Sequence, residues 1–207
     1  MNDELLFYYE NLKSAAYNNY SLGDAARYIT EKTFRNGLPF NYEDYPFQKA
    51  ALSDTNRIIN FMKPAQVGCS EMMARYALAL GRIIPCFTTI YVAPYSQDAE
   101  DFMKTRINPV IKESSDLRNS LNPNLDNTEI KGFGSSLLYA RGANGTTKAL
   151  SIPADMLIFD ELDKANADIV GQYSSRLRAS PWKLIRKLST PTLKGRGIEK
   201  STRTSRR

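Results

Sequence analysis

Five short apolar runs lie between Arg57 and Thr190, with helix-patterned segments between them, and this alternation narrows the fold more than any other feature. The runs are RIINFMK at 57–63, TTIYVAP at 88–94, SSLLYAR at 135–141, DMLIFDE at 155–161 and WKLIRKLST at 182–190. Helical patterns occupy 70–83, 97–112 and 165–179. Strands alternating with helices predict a mostly parallel sheet covered on both faces, a three-layer α/β sandwich. In such sheets ligands bind beyond the carboxyl ends of the strands, so unusual residues at those ends carry the functional information.

The flanking segments follow other rules. Residues 1–35 read as helical in two pieces, the second starting at a Ser21 cap. GLPFNYEDYPFQ, at 37–48, is rich in turn residues and aromatics and reads as a loop, as does the Asn/Asp-rich stretch at 119–129. The expected organisation is a helical N-terminal segment at 1–35, one domain at 36–200 and a disordered basic tail at 201–207.

Composition excludes several chemistries. The chain has no histidine, which removes Ser-His-Asp and Cys-His catalysis and every His-ligated metal. Its two cysteines, Cys69 and Cys86, cannot make a structural zinc site alone. No apolar run approaches membrane-span length and the N-terminus lacks a signal-peptide layout, so a cytosolic protein with no membrane partner is expected. The net charge is +6, but Lys194, Arg196, Lys200, Arg203, Arg206 and Arg207 against Glu199 concentrate +5 of it at the C-terminus. The charge therefore marks a tail rather than a nucleic-acid-binding face.

Two strand ends stand out. The first run ends in KPAQVGCSE, at 63–71, and leads directly into a helix. Compared with the phosphate-loop pattern G-x-x-x-x-G-K-[ST], Gly68 and Ser70 fall in place, Lys63 stands at the first glycine and Cys69 at the lysine. A thiol cannot supply the missing cation, but Lys63 on its long stem can reach the same phosphates. The bland alternative is an ordinary strand-to-helix turn. The fourth run delivers Asp160 and Glu161 after four apolar residues. In phosphate-loop ATPases the first such acid holds Mg2+ and the second directs the attacking water. A solvated acidic turn is the alternative, and Asp163 reads as a capping or surface group.

KPAQVGCSE, RGANGTTKALSIPADMLIFDELDK and KLSTPTLKGRGIEK, in that order, resemble the ATPase domain of lambda-type phage terminase large subunits, over roughly Tyr45 to Lys200. The resemblance implies a phosphate-loop NTPase fold and ATP and Mg2+ as ligands. It implies that Lys63, Pro64, Ala65, Gln66, Val67, Gly68, Cys69 and Ser70 form the phosphate loop, with Ser70 and Asp160 at the metal and Glu161 catalytic. It further implies that Gln48 contacts adenine, with Tyr45 or Phe47 stacking on the base. Ser189 and Thr190 would sense the γ-phosphate in a coupling segment, and an arginine finger is required. Arg141 closes a strand at the functional edge and is the leading candidate; Arg176 and Arg178 read as a solvated helix face.

The implied partners are double-stranded DNA, gripped mainly by its phosphates, a terminase small subunit, a portal protein and other copies of the chain in a ring on the procapsid, in the host cytoplasm. Cys69 and Gln66 depart from residues common in the family. The family's larger members continue into a nuclease, and the resemblance fades after Lys200, so the chain reads as a motor domain without one. Two alternatives accompany this reading: a helicase-like translocase and a non-hydrolysing prophage remnant.

Overall fold

The structure is a computed structural model that describes residues 22–64, 66–144, 152–192, 194 and 197–204. The first predicted helical piece, the Ser21 cap, Ala65 and the stretch 145–151 lie outside the described residues.

A seven-stranded sheet organises the domain. In chain order its strands are β3 (Ile58–Met62), β4 (Thr88–Ala93), β5 (Leu121–Asp126), β6 (Ile130–Phe133), β7 (Ser136–Gly142), β8 (Met156–Phe159) and β9 (Leu184–Ser189). In space they run β3-β9-β8-β4-β7-β6-β5. The first five in that order are mutually parallel. β6 and β5 extend the β7 edge in antiparallel fashion. The five apolar runs are the five parallel strands. β5 and β6 were missed because LNPNLDNTEI carries the composition of a loop, and antiparallel edge strands do not require continuous apolar runs.

Both faces are covered. One carries α1 (Ala25–Lys32), α3 (Cys69–Ile83) and a long helical segment that begins as α4 (Ser96–Phe102). Met72, Tyr76, Leu80, Phe102 and Ile107 fill that side. The other carries α7 (Ala167–Ser174) and α8 (Gly197–Thr204), over Ile90, Val92, Leu157, Phe159 and Ile198. Alternation along β4, with Ile90 and Val92 to one side and Tyr91 and Ala93 to the other, feeds both cores at once. Each fully buried aliphatic or aromatic side chain contributes on the order of 2 kcal/mol.

The N-terminal boundary differs from expectation. Ala25, Ala26 and Ile29 of α1 are buried in the core beneath α3, so this helix belongs to the domain rather than to a separate segment. A two-stranded hairpin, β1 (Phe34–Arg35) and β2 (Leu38–Pro39), follows, and the expected loop ends in α2 (Phe47–Ser53). At the other end, residues 201–204, expected to be disordered, complete α8, which packs on β3 and β9, with Ser201 bonded to Asn60 and to Lys187.

One helix is interrupted. Between α4 and α5 (Asn108–Glu113) the chain makes a π-helical turn, Met103–Ile107. Pro109 has no N–H, and in a regular α-helix its ring would collide with the carbonyl of Thr105. The wider turn accommodates it and rotates Arg106 toward a cleft beside α3. α6 (Ser115–Ser120) then leads into β5.

Candidate active site

The segments at the carboxyl ends of β3, β9 and β8 converge. Met62 is in register with Ser189, and Phe159 with Lys187, so β9 runs two residues past its last pairing with β8. Lys63 N donates to Ser189 O at 3.1 Å, which anchors the start of the loop after β3 to the end of β9.

That loop turns into α3 through Gly68, whose φ of +72° is the left-handed conformation that glycine adopts without strain. A Cβ at Gly68 would also meet Gln48 Nε2 at 3.0 Å. Gln48, only 2% exposed in the first turn of α2, donates from that nitrogen to Gly68 O at 3.4 Å. Gly68 O accepts the first bond of α3, from Met72 N at 2.9 Å, leaving the amides of the first turn directed at whatever occupies the loop.

Two side-chain pairs join this loop to the acidic strand. Ser70 Oγ donates to Asp160 Oδ2 at 2.6 Å, and Lys63 Nζ donates to Glu161 Oε1 at 2.9 Å. Burial alone would lower the Lys63 pKa, but the hydrogen bond to Glu161 and the charges of Asp160 and Glu161 outweigh it and hold the ammonium above its ordinary value. Burial raises the Cys69 thiol above its ordinary value, with Lys63 opposing, so a neutral thiol stands where a lysine is usual. Glu161 has φ +49°, a strained conformation for a non-glycine residue and one characteristic of functional turns.

Sequence reasoning missed Tyr91. Its hydroxyl donates to Asp160 Oδ2 at 2.9 Å, and its ring stacks on Phe102 at 3.6 Å. Burial and the nearby Asp160 carboxylate raise its pKa, keeping it a neutral donor. The available signal was a hydroxyl within the apolar stretch IYVA of that strand.

A cleft of about 680 Å³ opens beside the loop, lined by Lys63, Gln66, Val67, Gly68, Cys69 and Ser70 on one side. Tyr45 also lines it, whereas Phe47 packs edge-on against Tyr45 at 6.2 Å and lies outside the lining. Arg35 and Arg106, which sequence reasoning did not single out, line it as well.

Arg141 is elsewhere. Its Nη1 donates to Ala140 O at 2.8 Å and Glu129 O at 3.1 Å, and it pairs with the Glu129 carboxylate at 3.2 Å. Its guanidinium lies 5.3 Å from the centre of the Tyr139 ring. None of these contacts is with the phosphate loop. Arg176 is half-buried in a 3-10 turn after α7, with its carbonyl accepting from Ala154 N at 3.1 Å, and Arg178 is exposed. Ser189 is fully buried, and Thr190 and Pro64 are more accessible.

A parallel sheet with a glycine-turned loop leading into a helix, facing an acidic strand end across one intervening strand, defines the phosphate-loop NTPase class. The model of the family described as phage terminase large subunit gpA, ATPase domain, matches residues 39–207, and the chain belongs to that family. The large terminase subunit of Escherichia phage lambda is 29% identical over 191 residues, covering 83% of this chain. That of Enterobacteria phage P21 is 27% identical over 178 residues, covering 76%. The chain spans 29% and 27% of the lengths of these two relatives. The crystal structure of the HK97 bacteriophage large terminase has the same fold, with a TM-score of 0.74 at 14% identity over 87% of this chain and 41% of that one.

Proposed function

We propose that this domain binds Mg-ATP in the cleft beside α3 and hydrolyses it, as the motor that drives viral double-stranded DNA into a procapsid. The observation that carries the chemistry is the double contact Ser70–Asp160 and Lys63–Glu161, which unites residues about ninety positions apart at one sheet edge.

In this reading Lys63 and the first-turn amides of α3 hold the β- and γ-phosphates. The Ser70 hydroxyl and the Asp160 carboxylate are hard oxygen donors side by side, which suits Mg2+. The described residues contain no group of three or more His, Cys, Asp or Glu able to hold a metal, so phosphate oxygens and water would complete the shell. Bound there, Mg2+ supplies charge neutralisation at the phosphates. Glu161 accepts a proton from a water whose oxygen attacks the γ-phosphorus. The bond to the β–γ bridging oxygen breaks, and ADP departs with that electron pair.

Gln48 and Tyr45 form the base end of the cleft, and Ser189 and Thr190 lie between the two chemical loops as the coupling segment. Arg141 is held by Glu129 and Ala140 outside the cleft, so its contacts lend no support to the arginine-finger role. The portal, the small subunit and the host cytoplasm complete the setting. Family membership favours this reading over a helicase-like translocase.

The test is Mg-ATP hydrolysis by this chain with and without duplex DNA, beside Lys63→Ala and Glu161→Gln. Turnover that falls by roughly 10² to 10⁴ in Glu161→Gln supports the assignment. Full turnover in Glu161→Gln would sink it, and nucleotide binding by the parent without turnover would favour the non-hydrolysing alternative.

A further inference from the structure

Asp163 lies two residues beyond Glu161, in the 3-10 turn Leu162–Lys164. Its Oδ2 accepts from Thr192 N at 2.9 Å and from Thr192 Oγ1 at 3.0 Å, and its Oδ1 accepts from Ile198 N at 2.8 Å. Its own amide donates to Ser189 Oγ at 3.2 Å, and that hydroxyl donates to Thr190 O at 3.2 Å. One residue thus grips the end of β9, the segment after it and the first turn of α8. Bonds from amides and hydroxyls to an ionised carboxylate are among the stronger hydrogen bonds in proteins.

Gly197 shows how closely this arrangement is fitted. Its φ is +50°, and a Cβ there would stand 2.1 Å from Asp163 Oδ1. The carboxylate occupies the space that a side chain would fill. The turn joining Glu161 to Asp163 is itself stiff, because Lys164 N donates to Glu161 O at 2.9 Å and Ala165 N to Leu162 O at 3.1 Å.

We propose that Asp163 is a positioning residue that ties the loop bearing Glu161 to the segment after β9, so that movement of that loop on nucleotide binding displaces Thr192 and the first turn of α8. This rests on the nucleotide reading of the site. A γ-phosphate competes with Glu161 for Lys63, and releasing the 2.9 Å ion pair frees the strained turn to shift. The stiff turn carries that shift to Asp163. Through three carboxylate-directed donors it reaches Thr192, just beyond the coupling segment, and the first turn of α8, which the sequence gives no reason to link to the acidic pair.

The test measures amide hydrogen exchange at Thr192 and Ile198 in this chain, with and without Mg-ADP and a non-hydrolysable ATP analogue. It uses the parent, Asp163→Ala, Asp163→Asn and Gly197→Ala, with nucleotide affinity titrated separately and folding checked by thermal unfolding. In the parent, nucleotide changes exchange at both amides by about tenfold or more. In Asp163→Ala these amides exchange faster and no longer respond to nucleotide, affinity stays within about twofold, and kcat falls roughly tenfold with KM unchanged. Gly197→Ala, which displaces the same carboxylate, gives the same phenotype, and the double variant is no worse. If Asp163→Ala does not fold, Asp163→Asn carries the comparison, since it keeps the side-chain volume and loses the charge.

A nucleotide response that survives in both Asp163 variants overturns the proposal. So does a parallel loss of nucleotide affinity, which would make Asp163 a ligand-binding group. A parent that binds nucleotide without any change at the two amides overturns the proposal and leaves the nucleotide reading intact. A parent that binds no nucleotide removes that reading and the proposal with it.

Discussion

Lys63 Nζ sits 2.9 Å from Glu161 Oε1, so the cation at the start of the loop after β3 is already engaged by the carboxylate that follows β8. The pair is asymmetrically buried, with the lysine side chain 10% exposed and the glutamate 30%. A polyanionic ligand arriving at the loop must compete for that ammonium and approach a negative charge. Glu161→Gln removes both obstacles. Equilibrium titration of Mg-ATP is expected to give affinity equal to or tighter than the parent's in this variant, while Lys63→Ala weakens it by tenfold or more, about 1.4 kcal/mol. Weaker binding in Glu161→Gln would mean that the carboxylate helps to hold the ligand.

Tyr91 donates to the same Asp160 Oδ2 that accepts from Ser70, and its substitution isolates that contact. Tyr91→Phe keeps the stack on Phe102 and removes one hydrogen bond to a carboxylate, worth about 1.5–3 kcal/mol. The expected result is a severalfold higher Mg2+ concentration for half-maximal hydrolysis, with a thermal midpoint lower by several degrees. An unchanged Mg2+ dependence would place Asp160 outside the metal's reach.

The two aromatic candidates for base stacking are separable. Tyr45 lines the cleft and Phe47 does not. Tyr45→Ala should reduce nucleotide affinity by roughly 0.5–1.5 kcal/mol, a few-fold to about tenfold, in a fluorescent-nucleotide titration. Phe47→Ala should leave it unchanged, and the reverse order would assign the base to the other side of α2.

Asp163 also makes a prediction about acid stability. Burial alone would raise its pKa, but hydrogen bonds from the Ile198 and Thr192 amides and the Thr192 hydroxyl outweigh it and hold the carboxyl below its ordinary value. A depressed pKa means that the unfolded chain takes up the proton more readily than the folded one. The stabilisation is therefore present above about pH 4 and is lost as pH falls through the folded-state value. Urea denaturation of the parent and of Asp163→Asn should differ by a constant amount between about pH 5 and pH 8 and converge in stronger acid. A gap that persists unchanged in acid would assign the stabilisation to shape rather than charge.

The parallel strands were legible because each reads as a short, mostly apolar run; β8 is the clearest case, buried on both faces, with Met156, Leu157, Ile158 and Phe159 all buried. The convergence of Gly68, Ser70, Asp160 and Glu161 followed from their positions at strand ends. The pairings that sharpen the site were not legible. Tyr91 looks like any strand aromatic until the register sets β4 beside β8. Asp163 looks like a turn acid until α8 folds back onto it. Arg106 enters the cleft only through the π turn upstream of Pro109, and Arg141, named for its place at a strand end, spends its hydrogen bonds on Glu129 and Ala140.

The position of β9 between β3 and β8 has a mechanical consequence. In the nucleotide reading proposed above, a triphosphate engaged by Lys63 on one bank and, through a metal ion, by Asp160 on the other would bridge the intervening strand end without needing to touch it. Any widening or narrowing of the gap between the banks is felt first at Ser189, bound at once to Lys63 through its carbonyl and to Asp163 through its hydroxyl. In that reading the strand end would work as a feeler gauge, registering whether the space above it is spanned and relaying the result to the chain beyond.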